Sequence, residues 1–225
     1  MKKSVICMLS VLLLAGCSAE KKETPALAFK EEYESLNGKE TQSGKTYRSI
    51  SIPEDNPFEK ISQDTLSDML DDESTFWLYV GDSMCPWCRS VLETAVQSAE
   101  ENHVEQIYYV DIWDDDHNEI LRDVKKLDGS EIVTEKEGTA VYEKMLDAFD
   151  EVLEDYNLTV DDQTYYAGEK RIYAPTFFYV EEGKAVRMTT GISDLLEDPC
   201  QDLSDDILAD EKQQLDAFFS GTPQA

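Results

Sequence analysis

Two apolar runs with an amphipathic segment between them dominate the first half of the chain. Residues 76–80 (FWLYV) form a short aromatic and β-branched run that ends at Gly81, which predicts a buried central strand. Over residues 91–99 the apolar positions recur at helical spacing. Residues 106–112 (QIYYVDI) form the second apolar run. The order strand, helix, strand predicts a βαβ unit with a parallel pair of strands.

The second half of the chain contains the pattern of a strand pair and a terminal helix. Residues 172–180 (IYAPTFFYV) predict a strand that has Pro175 near its start. Glu182 and Gly183 form a turn signal, and residues 185–188 predict the returning strand. Apolar positions between 207 and 219 predict a final amphipathic helix.

Two weaker patterns precede the central strand. Residues 47–52 alternate apolar and polar positions, which predicts a strand that ends at Pro53. Ser62 can cap a helix whose apolar face carries Leu66 and Leu70. These elements extend the predicted sheet and helices toward the N-terminus.

Residues 114–168 look like a helical insertion before the strand that contains Pro175. Its best helix covers residues 141–156, because apolar side chains recur on one face. A stripe of this kind is typical of a core-facing helix rather than of a ligand site. We therefore expect an α/β domain with a mixed sheet, helices on both faces and this insertion. The stripe consists of Tyr142, Met145, Leu146, Phe149, Val152, Leu153 and Tyr156.

The N-terminal segment has the features of a secretory signal. Lys2 and Lys3 are followed by an apolar run over residues 5–15, which is too short for a bilayer core that takes about 20 residues. The run ends in Leu-Ala-Gly-Cys, which resembles a bacterial lipobox and implies lipidation of Cys17, by acyl chains such as palmitate, with cleavage before it. An ordinary signal peptide with a chance cysteine is the alternative.

The remaining chain divides into a tether and a domain. Residues 1–16 are the predicted lipoprotein signal peptide, residues 17–45 a polar tether, and residues 46–225 the folded domain. The alternative for the tether is an extra helix that packs on the domain. Lipidation would hold the protein at the extracytoplasmic face of the cell membrane.

The negative net charge of the chain limits the kinds of partner that it can bind. The chain has 49 acidic against 20 basic residues and a formal net charge of −29. This excess argues against nucleic-acid binding and against docking on anionic lipid through a basic surface. The hydrophobic content of 41% is that of a globular protein rather than a disordered one.

Candidate chemistry centres on Cys85-Pro86-Trp87-Cys88, directly before the helix at 91–99. Two cysteines at this spacing can reach each other across one helical turn. Cys85 would lie where unpaired N–H groups and the helix dipole stabilise a thiolate, and Cys88 one turn further inside. An attacking thiol and a resolving thiol are what thiol–disulfide exchange requires.

Two other interpretations of the pair stay open at this point. A metal site would need further ligands, and Cys200, His103 and His117 form no second close pair. A structural disulfide across so short a loop would constrain the unfolded chain little. We therefore expect no metal and no cofactor beyond a redox-active disulfide between Cys85 and Cys88.

The strand FWLYVG, the CPWC at the following helix start and the later YAPTFFYVEEGKAV resemble the thioredoxin superfamily. With the lipobox, the chain is similar to membrane-anchored thioredoxin-like lipoproteins of Gram-positive bacteria and to bacteriocin-transport accessory proteins. The resemblance implies a thioredoxin-like fold and a cis-proline at Pro175 that positions the substrate chain. One departure is Tyr79, which stands where thioredoxin has a buried Asp that moves protons.

Several neighbours of the pair are candidates for substrate contact. Trp87 can bind an apolar substrate chain, or it can simply be an exposed aromatic at a helix start. Met84 flanks the same groove, as do Ala174 and Thr176 on either side of Pro175.

Two further features of the sequence, an acidic stretch and Cys200, give weaker evidence of a functional role. The acidic stretch at 111–119 lacks the ligand spacing of a calcium loop and predicts a solvated loop. Cys200 has no partner once Cys17 is lipidated and Cys85 pairs with Cys88. Its alternative roles are an inert thiol, an accessory redox thiol or an intermolecular link.

The expected function is extracytoplasmic thiol–disulfide exchange on protein or peptide partners, with electrons from an unidentified partner protein. The alternative is a non-catalytic adaptor that binds secreted peptides, as in bacteriocin export, where a strongly acidic surface would attract cationic peptides. Whether the protein oxidises, reduces or isomerises depends on a reduction potential that the sequence does not specify.

Overall fold

Five helices and nine strands form the structure, a computed structural model that describes residues 23–113, 120–161 and 163–221. The predicted signal peptide and Cys17 lie outside the described residues. In chain order the elements are α1 (Pro25–Glu34), β1 (Phe58–Lys60), α2 (Gln63–Asp71), β2 (Phe76–Gly81), α3 (Pro86–Glu101), β3 (Ile107–Asp111), β4 (Val124–Asp128), β5 (Glu131–Lys136), α4 (Ala140–Ala148), β6 (Glu154–Val160), β7 (Gln163–Arg171), β8 (Thr176–Glu181), β9 (Lys184–Thr189) and α5 (Asp205–Ser220).

A mixed sheet of five strands lies at the centre, in the order β1-β3-β2-β8-β9. β3 pairs in parallel with both β1 and β2, whereas β8 is antiparallel to β2 and β9 to β8. Leu78 of β2 is opposite Tyr108 of β3 and Phe178 of β8. The predicted βαβ unit β2-α3-β3 and the predicted β8–β9 pair are both confirmed.

Helices cover both faces of this sheet, as the sequence predicts. Tyr79, Tyr109 and Phe177 point to one face and pack in a core with residues of α1, α3 and α5. Their chain neighbours Val80 and Phe178 point to the other face, where residues of α2 and α4 cover them. The alternation follows from the two-residue period of a strand and gives an α/β protein with a mixed sheet.

The predicted tether is wrong for residues from 25 onward, because α1 belongs to the folded body. Phe29 and Tyr33 are fully buried, and the Phe29 ring stacks on Phe58 of β1 at 4.4 Å. Thr24 caps the helix by accepting from the backbone N–H of Leu27, and a proline follows it at the first helical position. The high polarity of the segment hides this short apolar face.

Residues 47–52 do not form the predicted strand, although several of them are buried. Side chains satisfy their backbone instead of a neighbouring strand. The Asn37 amide donates to the Ile50 carbonyl at 2.8 Å and accepts from the Ile50 N–H at 3.1 Å. Glu34 and Glu93 accept from two further N–H groups of the segment. The alternation therefore reflects burial of an extended segment rather than strand pairing.

The insertion before β8 is mostly β-structure, which corrects the predicted helical insertion. It contains the hairpins β4–β5 and β6–β7 with α4 between them. The predicted helix over 141–156 ends at Ala148, and its last apolar positions, Leu153 and Tyr156, are buried in or next to β6. Long antiparallel pairing with β7 satisfies the β6 backbone and overrides the helical period of the sequence.

A buried carboxyl lies between α3 and α5. Glu211 is fully buried, and its Oε2 accepts from the Thr94 hydroxyl at 3.3 Å. Its Oε1 has no hydrogen-bond partner within the described part of the chain. Burial raises the pKa of Glu211 from 4.5 to about 7. The folded state therefore holds this proton more tightly than the unfolded state, and stability falls as the pH rises from 4.5 to about 7.

Glu211→Gln is expected to increase the free energy of unfolding at about pH 8 by about 1–3 kcal/mol, because the folded wild type then buries an ionised carboxylate with one unpaired oxygen, whereas the amide stays neutral. Near pH 3, where both the folded and the unfolded state bind the proton, the variant and the wild type should be almost equally stable. Urea denaturation at both pH values measures this difference. Glu131→Gln removes the same charge from an exposed position and is the matched control. A Glu211→Gln effect of equal size at both pH values would contradict the prediction.

Candidate functional site

The CPWC sequence begins helix α3. Cys85 is the N-cap residue, with φ −79° and ψ 114°, and Pro86 occupies the first turn, where it needs no hydrogen-bond partner. The backbone N–H of Cys88 donates to the Cys85 Sγ at 3.4 Å. The sulfur thus takes the place of the oxygen that usually caps a helix, at the end where the dipole favours negative charge.

The two cysteines differ in exposure, as their positions in the sequence predict. Cys85 is half-buried, whereas Cys88 lies one turn further along and is fully buried. Both are free thiols, so the structure describes the dithiol state. Reagents and substrates can reach Cys85 from the surface but can reach Cys88 only past it.

The pKa values of the two thiols move in opposite directions. Hydrogen bonds from the Cys88 thiol and from the backbone N–H groups of Cys88 and Trp87 lower the pKa of Cys85 and outweigh its burial. Burial raises the pKa of Cys88 well above its ordinary value, and the neighbouring Cys85 adds to this effect. The stable ionised form is therefore a Cys85 thiolate that accepts from a Cys88 thiol.

The loop before β8 brings Pro175 to this helix end. The Ala174–Pro175 peptide bond is cis, which confirms the prediction made from the sequence resemblance. The Cys85 thiol donates to the Ala174 carbonyl at 3.7 Å. The backbone directly before Pro175 is therefore in contact with the more exposed of the two sulfurs.

A cleft of about 380 Å³ opens beside Cys85. Of the predicted contact residues, Met84 and Ala174 line it. Its lining in the described part of the chain does not include Trp87, which is half-buried, or Thr176. Thr176 is buried and donates its hydroxyl to the Tyr173 carbonyl, so its side chain is not available to a substrate.

Residues that the sequence did not single out complete the cleft. Tyr47 lies on its wall and donates its hydroxyl to the Met84 carbonyl at 3.0 Å. Asp82 is buried and accepts from the backbone N–H of Met84 at 2.8 Å. Its negative charge adds to the raised pKa of Cys88 and partly offsets the lowering of the Cys85 pKa. The further lining residues are Thr41, Gln42, Ser43, Pro86, Ile112, Trp113, Arg122 and Tyr173.

Tyr79 lies beneath the pair on the central strand. It is fully buried, and a hydrogen bond from its side chain lowers the pKa of Cys88. Gly81, two residues further along β2, leaves room for the Tyr79 phenol, because an added Cβ would collide with the ring and the hydroxyl. Burial raises the pKa of Tyr79 well above its ordinary value, so this group is a neutral phenol at physiological pH.

Within the described residues, the other candidate groups do not line the cleft. In the parts of the chain that the structure describes, no three His, Cys, Asp or Glu side chains gather as a metal ion requires. Most of the acidic stretch at 111–119 lies outside the described residues. Cys200 is a half-buried free thiol whose pKa is raised, first by burial and then by Asp198.

Comparisons with known proteins do not assign the chain to a family. No protein-family model matches the sequence, and no curated protein matches it either.

Proposed function

We propose that this protein is a thiol–disulfide oxidoreductase of the thioredoxin-like type, with Cys85 as the attacking thiol and Cys88 as the resolving thiol. The observation that supports the proposal best is the helix cap formed by Cys85. It places an accessible sulfur with a lowered pKa beside a cleft, in contact with a buried thiol that has a raised pKa. A thiolate, not a thiol, is the nucleophile in exchange.

The exchange proceeds in two steps. The Cys85 thiolate attacks one sulfur of a substrate disulfide, the S–S bond breaks, and the other substrate sulfur leaves as a thiolate. Cys88 then loses its proton and attacks Cys85, and the second substrate sulfur leaves with the electron pair. The substrate gains two electrons, and the protein is left with a Cys85–Cys88 disulfide. A partner dithiol must reduce that disulfide, and the reverse sequence oxidises a dithiol substrate.

The arrangement around the pair supports the thioredoxin-like assignment. The CPWC follows a central strand, and a cis-proline precedes the antiparallel strand next to it. The Ala174 carbonyl, in contact with Cys85 Sγ, can pair with the backbone of a bound substrate chain. Pro175 would hold that carbonyl in place.

Catalysed reduction of insulin by dithiothreitol tests the proposal. The wild-type protein should accelerate the precipitation of the insulin B chain, and Cys85→Ser should reduce the rate to that of dithiothreitol alone. Cys200→Ser, which removes a thiol outside the cleft, should retain the wild-type rate. Equal rates with and without wild-type protein, together with binding of a cationic peptide, would favour the adaptor. Equilibration with dithiothreitol or glutathione buffers then gives the reduction potential and the direction of the reaction in the cell.

The site is proposed to act outside the cell membrane, held there through Cys17. No helix in the described residues has the length and apolar content to cross a membrane. The full chain expressed in a Gram-positive host should fractionate with membranes, and Cys17→Ala should appear as unprocessed or released protein. Cys7→Ala, within the same predicted signal, is the matched control and should remain membrane-bound. Equal release of the wild type and Cys17→Ala, without proteolysis, would refute the anchor.

A further inference from the structure

A line of buried phenols leads away from Cys88 through the core. The Tyr79 side chain packs with Cys88 in the same buried core, and the two groups shift each other's pKa. The Tyr79 hydroxyl lies 3.1 Å from the hydroxyl of Tyr33, which comes from α1. All three residues are fully buried. The first part of the line therefore connects the resolving thiol to the N-terminal helix without contact with bulk water.

The line continues from Tyr33 to the surface. The rings of Tyr33 and of Tyr109 in β3 pack with their centres 6.0 Å apart, and the Tyr109 hydroxyl donates to the Glu32 carboxylate at 3.1 Å. The Glu32 side chain is 25% exposed and forms an ion pair with Lys60 at 3.0 Å. A carboxylate in contact with solvent thus ends a chain of hydroxyl groups that begins at a buried thiol.

We propose that Tyr79, Tyr33 and Tyr109 form a proton path that carries the proton of the Cys88 thiol to the Glu32 carboxylate when Cys88 attacks the mixed disulfide. The inference rests on the proposed thiol–disulfide exchange and deepens it. It assigns a role to α1, which otherwise only covers one face of the sheet.

The chemistry requires such a path because Cys88 is a poor nucleophile as a thiol. Burial raises its pKa and excludes water, so its proton needs an acceptor within the protein. The phenols are too weakly acidic to remain ionised, since burial also raises their pKa values. Each phenol can still accept one proton while it donates another.

The step balances in protons and electrons. The S–H bond of Cys88 breaks as its proton passes to Tyr79, while Tyr79 passes its own proton to Tyr33, Tyr33 to Tyr109, and Tyr109 to Glu32. The phenols end as they began, and the carboxylate becomes a carboxylic acid that exchanges with water. The Cys88 sulfur bonds to the Cys85 sulfur, and the substrate sulfur leaves with the electron pair of the broken bond.

Other charged groups face the two ends of the path. Cys85 and Asp82 both raise the pKa of Cys88, and the Asp82 carboxylate is the alternative acceptor for the Cys88 proton. Arg89 of α3 donates to the Tyr33 backbone carbonyl at 2.6 Å.

At the surface end, Lys60 donates to both Glu32 and Asp111. The charge of Asp111 also raises the pKa of Tyr109. Burial raises the pKa of Glu32, and Lys60 opposes that effect. A raised pKa makes Glu32 a better proton acceptor than an ordinary surface carboxylate.

Reaction of the dithiol with 5,5′-dithiobis(2-nitrobenzoate) separates the two chemical steps. Attack by Cys85 releases one nitrothiobenzoate, and attack by Cys88 on the mixed disulfide releases the second. The leaving group is the same and needs no proton, so the second phase reports on the loss of the Cys88 proton. Stopped-flow absorbance follows both phases in a full-chain background with Cys7, Cys17 and Cys200 replaced by Ser.

Tyr79→Phe should slow the second phase by about ten- to a hundredfold, as expected for the loss of a positioned proton-transfer group. The first phase should stay within about twofold, which also shows that the site has folded. Tyr33→Phe and Tyr109→Phe should slow the second phase in the same direction. Tyr156→Phe removes a buried hydroxyl from the insertion, which lies outside the path, and should change neither phase.

The pH profile distinguishes proton transfer from a packing effect. In the wild type the second-phase rate should rise with pH as Glu32 ionises and then level off. In Glu32→Gln that rise should move to alkaline pH, where the Cys88 thiol loses its proton directly. Glu31→Gln removes a charge from an exposed neighbour on the same helix and should keep the wild-type profile.

Three results would overturn the inference. A second phase in Tyr79→Phe within twofold of the wild type, with an unshifted profile in Glu32→Gln, would refute the path alone. An unchanged rate in the tyrosine variants and a slow second phase in Asp82→Asn would identify Asp82 as the acceptor. Failure of the wild type to release a second nitrothiobenzoate would refute the proposed exchange itself, and the path with it.

Discussion

Replacing Cys88 with serine is expected to trap substrates as stable mixed disulfides, whereas replacing Cys85 should abolish adducts. In Cys88→Ser the attacking sulfur keeps its position at the helix cap, but no second thiol can release the substrate. In Cys85→Ser the remaining thiol of the pair is the fully buried one with the raised pKa. Non-reducing electrophoresis of cells that express each variant, followed by identification of the bound proteins, makes the comparison.

Alkylation by iodoacetamide provides an independent ranking of the thiols. Below neutral pH, Cys85 should react at least about tenfold faster than Cys88, since one pKa unit corresponds to a tenfold difference in thiolate. Cys200 is an internal control, because it is half-buried like Cys85 but has a raised pKa. Adducts in Cys85→Ser and none in Cys88→Ser would reverse the assigned roles. An absence of adducts in both, with no lowered pKa, would favour the adaptor.

The β2-α3-β3 unit could be predicted because its signals are local and agree with each other. A continuous apolar run marks β2, which is covered on both faces, and helical spacing marks α3. The difference in burial between Cys85 and Cys88 follows from their positions on the first helical turn. The cis bond at Pro175 was predicted from the sequence resemblance rather than from the local pattern.

The N-terminal segment could not be assigned from periodicity, because side chains rather than strands satisfy its backbone. Asn37 bonds both backbone groups of Ile50, and Glu34 accepts from the Ile52 N–H at 2.7 Å. These contacts join residues that are 13 and 18 positions apart, beyond the reach of a local pattern. The proline after Thr24 and the apolar pair Phe29 and Tyr33 are local signals of a helix there, which was the alternative to the tether.

The sequence indicated that the two cysteines, Met84 and Ala174 lie together, but it did not indicate Asp82 and Tyr47. Asp82 and Tyr47 are ordinary residues in the sequence, and they approach Cys85 only because the chain turns between β2 and α3 and passes the cleft at residue 47. The start of β6 was missed because Leu153 and Tyr156 also fit the helical period of residues 141–156. Pairing with β7, the next strand along the chain, decided between the two structures.

Arg89 joins this N-terminal segment to the active-site helix. Its guanidinium is fully buried and donates to the Tyr33 carbonyl at 2.6 Å, to Asn37 Oδ1 at 2.6 Å and to the Arg48 carbonyl at 2.9 Å. It also lies 5.3 Å from the ring centre of Tyr47. A planar group with several donors is suited to acceptors in different directions, and a lysine ammonium at the end of a flexible stem is not.

Arg89→Met is therefore expected to reduce the free energy of unfolding by about 3–5 kcal/mol, because three acceptors lose their donor and each unsatisfied buried group costs about 1–3 kcal/mol. Arg89→Lys keeps the positive charge but loses the planar guanidinium with its several donors. It should reduce the free energy of unfolding by about half as much. Urea denaturation gives the total loss, and hydrogen exchange should show the greatest loss of protection over residues 24–52. Lys126→Met removes an exposed cation paired with Glu135 and should change stability by less than about 1 kcal/mol. Uniform loss of protection across the whole sheet, with residues 24–52 no more affected than β9, would show that Arg89 stabilises the core in general rather than the attachment of this segment.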